Sequence, residues 1–298
     1  MADHIHRLPS TQCRGTGRRG GPNYSLRMTA RRLRLKEGND PDVTVQRLAE
    51  AVTDARNISA RTMGFGPEAM RDAYLRWTEA TEDLLRGSTL DAEVPASLFT
   101  RRYELIRGMG AATPRPWPLV NGEIEHQTRQ LQHYADDLHD RIRNARSGRH
   151  TVVLDTSALL EYMPPEQVGW PDLLGADRVR LIIPLRVIEE LDGHKRAIRP
   201  GLAKRARRLL RRLEGDLGAT GRTADLNPSV SWEAFVEDPP RWRPEDPDEE
   251  ILGVAQELQR LGANPLGMAT DDAGMRLRAR ALEIPLVDVP ARFRRTQG

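Results

Sequence analysis

A single cysteine, Cys13, is all the thiol chemistry in 298 residues. That excludes a disulfide framework and any cysteine-rich zinc site, and it fits a reducing, cytoplasmic setting. No apolar run approaches the roughly 18 residues of a membrane helix, so no membrane partner is expected. The first 27 residues (MADHIHRLPSTQCRGTGRRGGPNYSLR) carry positive charge but no apolar centre, which excludes a secretory signal. Their Gly, Arg and Pro content reads as a disordered leader, taken as residues 1–39, or as sequence ahead of a true start at Met28. Net charge is only +3, so the overall balance says little about partners and the distribution of charge matters more.

The composition is that of a folded protein, with 38% apolar and 30% charged residues. A mean hydropathy of −0.60 predicts a wet, charge-covered surface. The length suits two ordinary domains. Residues 40–149 read as a helical region. In VTVQRLAEAVTDARNIS, Val45, Leu48, Val52 and Ala55 fall at helical spacing. Pro67 opens a second helix with an inner face of Met70, Ala73, Tyr74, Trp77, Ala80, Leu84 and Leu85, and Gly87 ends it. Pro95 opens a third, carrying Leu98, Tyr103 and Ile106. Residues 108–122 (GMGAATPRPWPLVNG) read as a linker or ordered loop. A polar helix from Glu123 to Arg146 follows, with a narrow stripe of Ile124, Leu131, Tyr134, Leu138 and Ile142. His126, His133 and His139 on this helix read as solvent-facing rather than as metal ligands.

After residue 150 the pattern changes. Short apolar runs (TVVLDTSALL, RVRLIIP, NPLGMAT and IPLVDV, with a weaker one at SVSW) alternate with amphipathic helices near 185–195, 201–214, 248–262 and 272–282. That alternation predicts an α/β fold, a parallel sheet covered by helices on both faces. Residues 291–298 read as a basic tail. Ligand sites of such sheets lie beyond the carboxyl ends of the strands, and acids collect there. Asp155 ends the first strand, Asp271 and Asp272 follow LGMAT, and Glu189, Glu190 and Asp192 open the helix after LIIP. A fourth group starts the helix PDEEILGVAQEL. There Asp248 lies three, four and seven residues before Ile251, Leu252 and Ala255 and so continues the buried stripe, with Glu249 and Glu250 to the sides. Each acid alone could be a helix cap or turn former. Four at one sheet edge repel unless a cation offsets them, and hard divalent cations prefer oxygen ligands. Helical geometry turns Glu189 outward but does not choose between Glu190 and Asp192.

These residues resemble the motifs of PIN domains, in order, over residues 150–290. VVLDTSALL is similar to the first strand, and PLRVIEELDGHK resembles the second motif, where the glutamate before Leu is the ligand, here Glu190. DEEILGVAQEL is similar to the third, which selects Asp248, and ATDDAGMRLRARALEIPLV to the last, which selects Asp272. Asp271 stands where Asn is common. Residues 1–149 lie outside the resemblance, which is to longer PIN domains with a basic helix after the glutamate motif.

What the resemblance implies is a divalent-metal-dependent endoribonuclease. Asp155, Glu190, Asp248 and Asp272 would bind Mg²⁺ or Mn²⁺ and catalyse phosphodiester hydrolysis, with Thr156, Ser157, Thr270 and Asp271 as site support. RNA, single-stranded, is the expected partner; an oligomer is left open, and no antitoxin-like partner is inferable. The phosphate loop of the ATPases to which some relatives are fused, GxxxxGK[ST], does not occur. A haloacid-type phosphatase would need a second Asp where Ser157 stands. The alternative within the family is an inactive module that binds RNA or protein. Nine basic residues and no acid lie between Lys195 and Arg212. Of these, Lys195, Arg199, Lys204, Arg205, Arg207, Arg208, Arg211 and Arg212 are expected to attract a phosphate backbone.

Overall fold

The computed structural model describes residues 33–110, 112–196, 200–220, 223–235 and 246–295. The expected leader falls almost wholly outside them, as does Arg199.

Three long helices build the N-terminal region. Helix α1 (Pro41–Arg61) starts where the Asp40 side chain accepts the Val43 N–H, and it buries Leu48, Val52, Ala55 and Ile58. Helix α2 (Pro67–Ser88) buries Met70, Tyr74, Trp77 and Leu85. Ala80 is exposed, and the face runs instead through Thr78 and Thr81, whose hydroxyls bond back to Tyr74 and Trp77 carbonyls. The expected third helix is two short ones, α3 (Glu93–Ala96) and α4 (Arg101–Arg107). Thr100 divides them, because its hydroxyl caps the N–H of Tyr103 and starts a new helix. The expected linker is shorter than its Gly and Pro content suggests. Helix α5 (Pro116–Ala145) begins inside it, since prolines cost nothing in a first turn whose N–H groups have no helical partner. Its stripe of Ile124, Leu131, Tyr134, Leu138 and Ile142 is buried as expected, and His126, His133 and His139 are exposed.

The second half is α/β. Strands β1 (His150–Leu154), β2 (Val179–Pro184), β3 (Thr223–Asn227), β4 (Val230–Phe235) and β5 (Leu266–Ala269) form one sheet in the order β3-β4-β2-β1-β5. All neighbours are parallel except β3 and β4. The weak SVSW signal is the start of β4, which lies beside β2. Its alternating Ser231 and Glu233 blur the apolar pattern, and Glu233 meets Arg180 of β2 at 2.8 Å. IPLVDV makes only an isolated bridge, Met268 to Leu286. Pro285 has no N–H to extend a ladder, so contact is limited to the bonds Met268 N to Pro285 O and Val287 N to Met268 O. Gly267 permits that approach, since a Cβ there would lie 2.6 Å from Val287 Cγ2.

Helices α6 (Thr156–Glu161), α7 (Trp170–Leu174), α8 (Leu185–His194), α9 (Pro200–Thr220), α10 (Pro247–Arg260) and α11 (Ala273–Ala281) complete the fold. The helical region and the sheet share one continuous core. Two nearly buried ion pairs lie where they meet. Arg141 of α5 pairs with Glu257 of α10, and Arg180 donates to the Asn144 carbonyl at 2.9 Å besides its bond to Glu233. Residues 291–295, expected as part of a basic tail, are bonded to the end of α6: Arg295 N donates to Glu161 O, and Met163 N to Phe293 O.

Candidate metal and nucleic-acid site

Strand β1 is interior to the sheet, so whatever follows its last residue lies at the middle of the sheet's carboxyl edge. Asp155 follows it. Its own N–H is held by the carbonyl of Ala269, the last residue of β5, which brings the ends of the two strands together. The Asp155 carboxylate is buried and held by three hydrogen bonds. Oδ1 accepts the Thr156 N–H at 2.6 Å, while Oδ2 accepts the hydroxyls of Ser157 at 2.6 Å and Thr270 at 2.7 Å. The residues expected as site support therefore fix the orientation of Asp155. Ser157 also accepts the Asp271 N–H, and Thr270 the Asp272 N–H.

Asp272 caps α11, with Oδ1 accepting the Met275 N–H at 2.9 Å. Its neighbour Asp271 is drawn elsewhere, paired with Arg294 and approached by the Tyr162 hydroxyl. Glu190 reaches the edge through Thr156, whose hydroxyl donates to Oε2 at 2.6 Å, while Arg186 lies 3.5 Å from Oε1. Helical geometry left Asp192 open as an alternative, but it is exposed and paired with Lys195. Glu189 pairs with Arg186 at 3.5 Å.

Asp248 completes the group. Burial raises its pKa first, and the neighbouring charge of Asp246 next; Arg278 opposes them, and Asp155 and Asp272 add to the rise. Asp248 thus feels the charge of two acids distant from it in sequence. Sequence reasoning missed Asp246 and Arg278. Asp246 caps α10 by accepting the Asp248 N–H, and Arg278 of α11 pairs with Asp246 and stands 3.4 Å from Asp248. An Asp two residues before an expected helix start was the available signal for the cap. Nothing in the sequence pointed to the arginine.

The donor set is one of hard carboxylate oxygens, which suits a hard divalent cation. Among the described residues, however, no three His, Cys, Asp or Glu side chains stand in a metal-holding arrangement. Caps, hydroxyls and arginines orient these acids, and a carboxylate, with about four lone-pair sites, can accept such bonds and still face a cation.

Residues 152–290 match the family model of the PIN domain. The match covers the α/β half of the chain and not the helices before it. No curated protein matches the chain. Among solved structures, a domain of a functionally unknown protein from Methanocaldococcus jannaschii DSM 2661 is similar at 19% identity, over 48% of this chain and 92% of that one, with a TM-score of 0.32. Among the described residues, no helix is long and apolar enough to cross a membrane.

The raised pKa of Asp248 has a measurable consequence. An acid whose pKa rises on folding favours the protonated form. The stability it lends is full below its unfolded-state value, about 3.9 for Asp, and is lost as pH rises through the folded value. In EDTA, Asp248→Asn should therefore melt above wild type at pH 7, with the gap closing below about pH 4. The effect is modest, because the side chain is 35% exposed. Melting curves from pH 3 to 8 test this, and a variant that melts lower at pH 7 contradicts it.

Along α9 the charges are not equivalent. Arg207 and Arg211 are exposed. Arg212 is paired with Glu166 and with Asp216 at 3.3 Å, and it lies over the Trp232 ring. Arg205 donates to the Leu160 carbonyl at 3.2 Å. Lys195 is paired with Asp192.

Proposed function

We propose that the protein is a divalent-metal-dependent endoribonuclease acting on single-stranded RNA. The observation that carries this reading is the gathering of Asp155, Asp248 and Asp272 at the carboxyl edge of a PIN-type sheet, near enough that the first and last raise the pKa of Asp248. Asp155 and Asp272 would be the core ligands of the cation, and Glu190 and Asp248 would complete or position the shell. Bound there, Mg²⁺ or Mn²⁺ supplies charge stabilisation at phosphate and lowers the pKa of a water.

The chain's own residues do the rest. Thr270 and Ser157 hold Asp155 in one orientation. Thr156 couples Glu190 to the same point, so the second acid is placed by the first strand's own turn. Arg278 offsets the charge of Asp246 and Asp248 and, by pairing with them, restrains the start of α10. The basic face of α9 attracts the strand.

Incubating the protein with single-stranded RNA and DNA, in Mg²⁺ or Mn²⁺ against EDTA, tests the reading directly. Cleavage of RNA only with the divalent ion is expected, and binding without cutting under every condition supports the inactive module instead. Within that assay Glu190→Gln should lose at least about ten-fold more activity than Glu189→Gln, as expected for groups that position a metal site. The reverse ranking removes Glu190 from the site.

A further inference from the structure

We infer that α9, the turn after α6 and the C-terminal segment form a pocket for a phosphate group of the nucleic-acid strand, separate from the carboxylates. The inference rests on the nuclease reading for the identity of its ligand.

A cavity of about 270 Å³ lies between Pro164–Glu166, one face of α9 and Arg295. Lys204, Arg205, Arg208, Arg212 and Arg295 line it, with Glu166 as its one carboxylate. Glu166 is already paired with Arg212. Among the described residues, no carboxylate lies within ion-pair distance of the other four cations. A solvated helix face would spread its charges to relieve repulsion, whereas here cations from two distant stretches of chain converge on a concavity. Two of them are held in place. Arg205 is anchored to the Leu160 carbonyl at 3.2 Å, and Arg295 to the carbonyl of Tyr162, with its own N–H on Glu161. Arg295 is correspondingly held below the usual arginine range, by burial first and then by Arg205 and Arg208.

Guanidinium forks gathered around a small cavity match the tetrahedral oxygens of a phosphate. The location says which phosphate. Helix α6 runs from Thr156 to Glu161, with Asp155 capping its start and the pocket at its end. Six residues at 1.5 Å each make this helix about 9 Å long, with Asp155 at one end and the carbonyls that anchor the pocket's arginines, Leu160 and Tyr162, at the other. One strand therefore reaches both, a few nucleotides apart. The occupant is either a backbone phosphate or the strand's terminal phosphate, two sources of one chemistry.

The test measures binding by full-length protein in EDTA, so that no cutting occurs. A short 3′-labelled RNA carrying a 5′-phosphate and the same RNA with a 5′-hydroxyl are titrated at several salt concentrations. The pocket variant is Lys204→Gln/Arg208→Gln; the control is Arg207→Gln/Arg211→Gln, an identical charge change on the same helix. All four side chains are exposed, and glutamine keeps helix propensity close to that of the originals. The pocket variant should weaken binding on the order of ten-fold and flatten the log–log salt slope by about 0.7, the value of one phosphate contact on a single strand. The control should lose clearly less. An equal loss with both RNAs assigns a backbone phosphate, and a loss confined to the 5′-phosphorylated RNA assigns the terminal one. Equal losses from the two variants, or none from either, overturn the pocket. Wild-type protein that binds in this pattern yet never hydrolyses RNA with Mg²⁺ or Mn²⁺ overturns the nuclease reading and leaves the pocket standing.

Discussion

Asp155→Asn is expected to leave a folded protein whose divalent-dependent RNA cleavage falls by about two to three orders of magnitude. The side chains are nearly isosteric. Asn Oδ1 still accepts the Thr156 N–H, and the new amide faces the hydroxyls of Ser157 and Thr270, which rotate from donating to accepting. What is lost is the charge at the centre of the carboxyl edge. A metal ion supplies several kcal/mol of transition-state stabilisation, and about 1.4 kcal/mol corresponds to each factor of ten. Single-turnover cleavage beside circular dichroism separates loss of chemistry from loss of fold. A folded variant cutting at the wild-type rate would remove Asp155 from the site.

The largest effect on stability should come from Arg141→Met. Glu257, its partner, has a side chain only 4% exposed, and Arg141 also donates to the Leu33 carbonyl at 2.9 Å. Removing the arginine takes away the cation paired most closely with this buried carboxylate, with Arg260, at 3.8 Å, among the groups that stay. Breaking one partner of such a pair costs roughly 3–5 kcal/mol, a fall on the order of 10 °C in melting temperature for a protein of this size. Arg141→Met/Glu257→Leu should recover most of that, because the penalty lies in a buried carboxylate that has lost compensation rather than in the lost attraction. If the single variant melts within 2 °C of wild type, the pair is not a joint between α5 and α10.

The elements most legible in the sequence were those whose own periodicity suffices. The stripe of α1, the stripe of α5 and the runs of β1, β2 and β5 need no knowledge of their neighbours. Elements that depend on a partner were harder to read. Strand β4 hides because Glu233 is inward-facing and answered by Arg180, 53 residues away, and the break between α3 and α4 hangs on one Thr100 hydroxyl. At the site, Asp155, Asp248 and Asp272 were legible because strand ends and a helix stripe project them to one edge, and the PIN resemblance chose Glu190 where helical geometry left Asp192 open. Arg278 was not legible, since its role comes from the packing of α11 beside α10. The same holds for Arg295, which sequence reading assigned to a tail and the fold places in a cavity.

The register of β1 also bears on how the chain folds. Thr151 pairs with Arg180 on one side and with Leu266 on the other, so one flank closes a loop of about 30 residues and the other one of about 115. Loop-closure entropy grows with length, and non-local pairings slow folding. Helices α1 to α5 precede the sheet in the chain and can condense while later residues are still being synthesised. Asp155 is then present long before Asp248 and Asp272 arrive. The full charge that Asp248 meets, from Asp155 and Asp272, can therefore build up only once the last of them, Asp272, has been made, when the helical region and the first strands are already there to hold the acids.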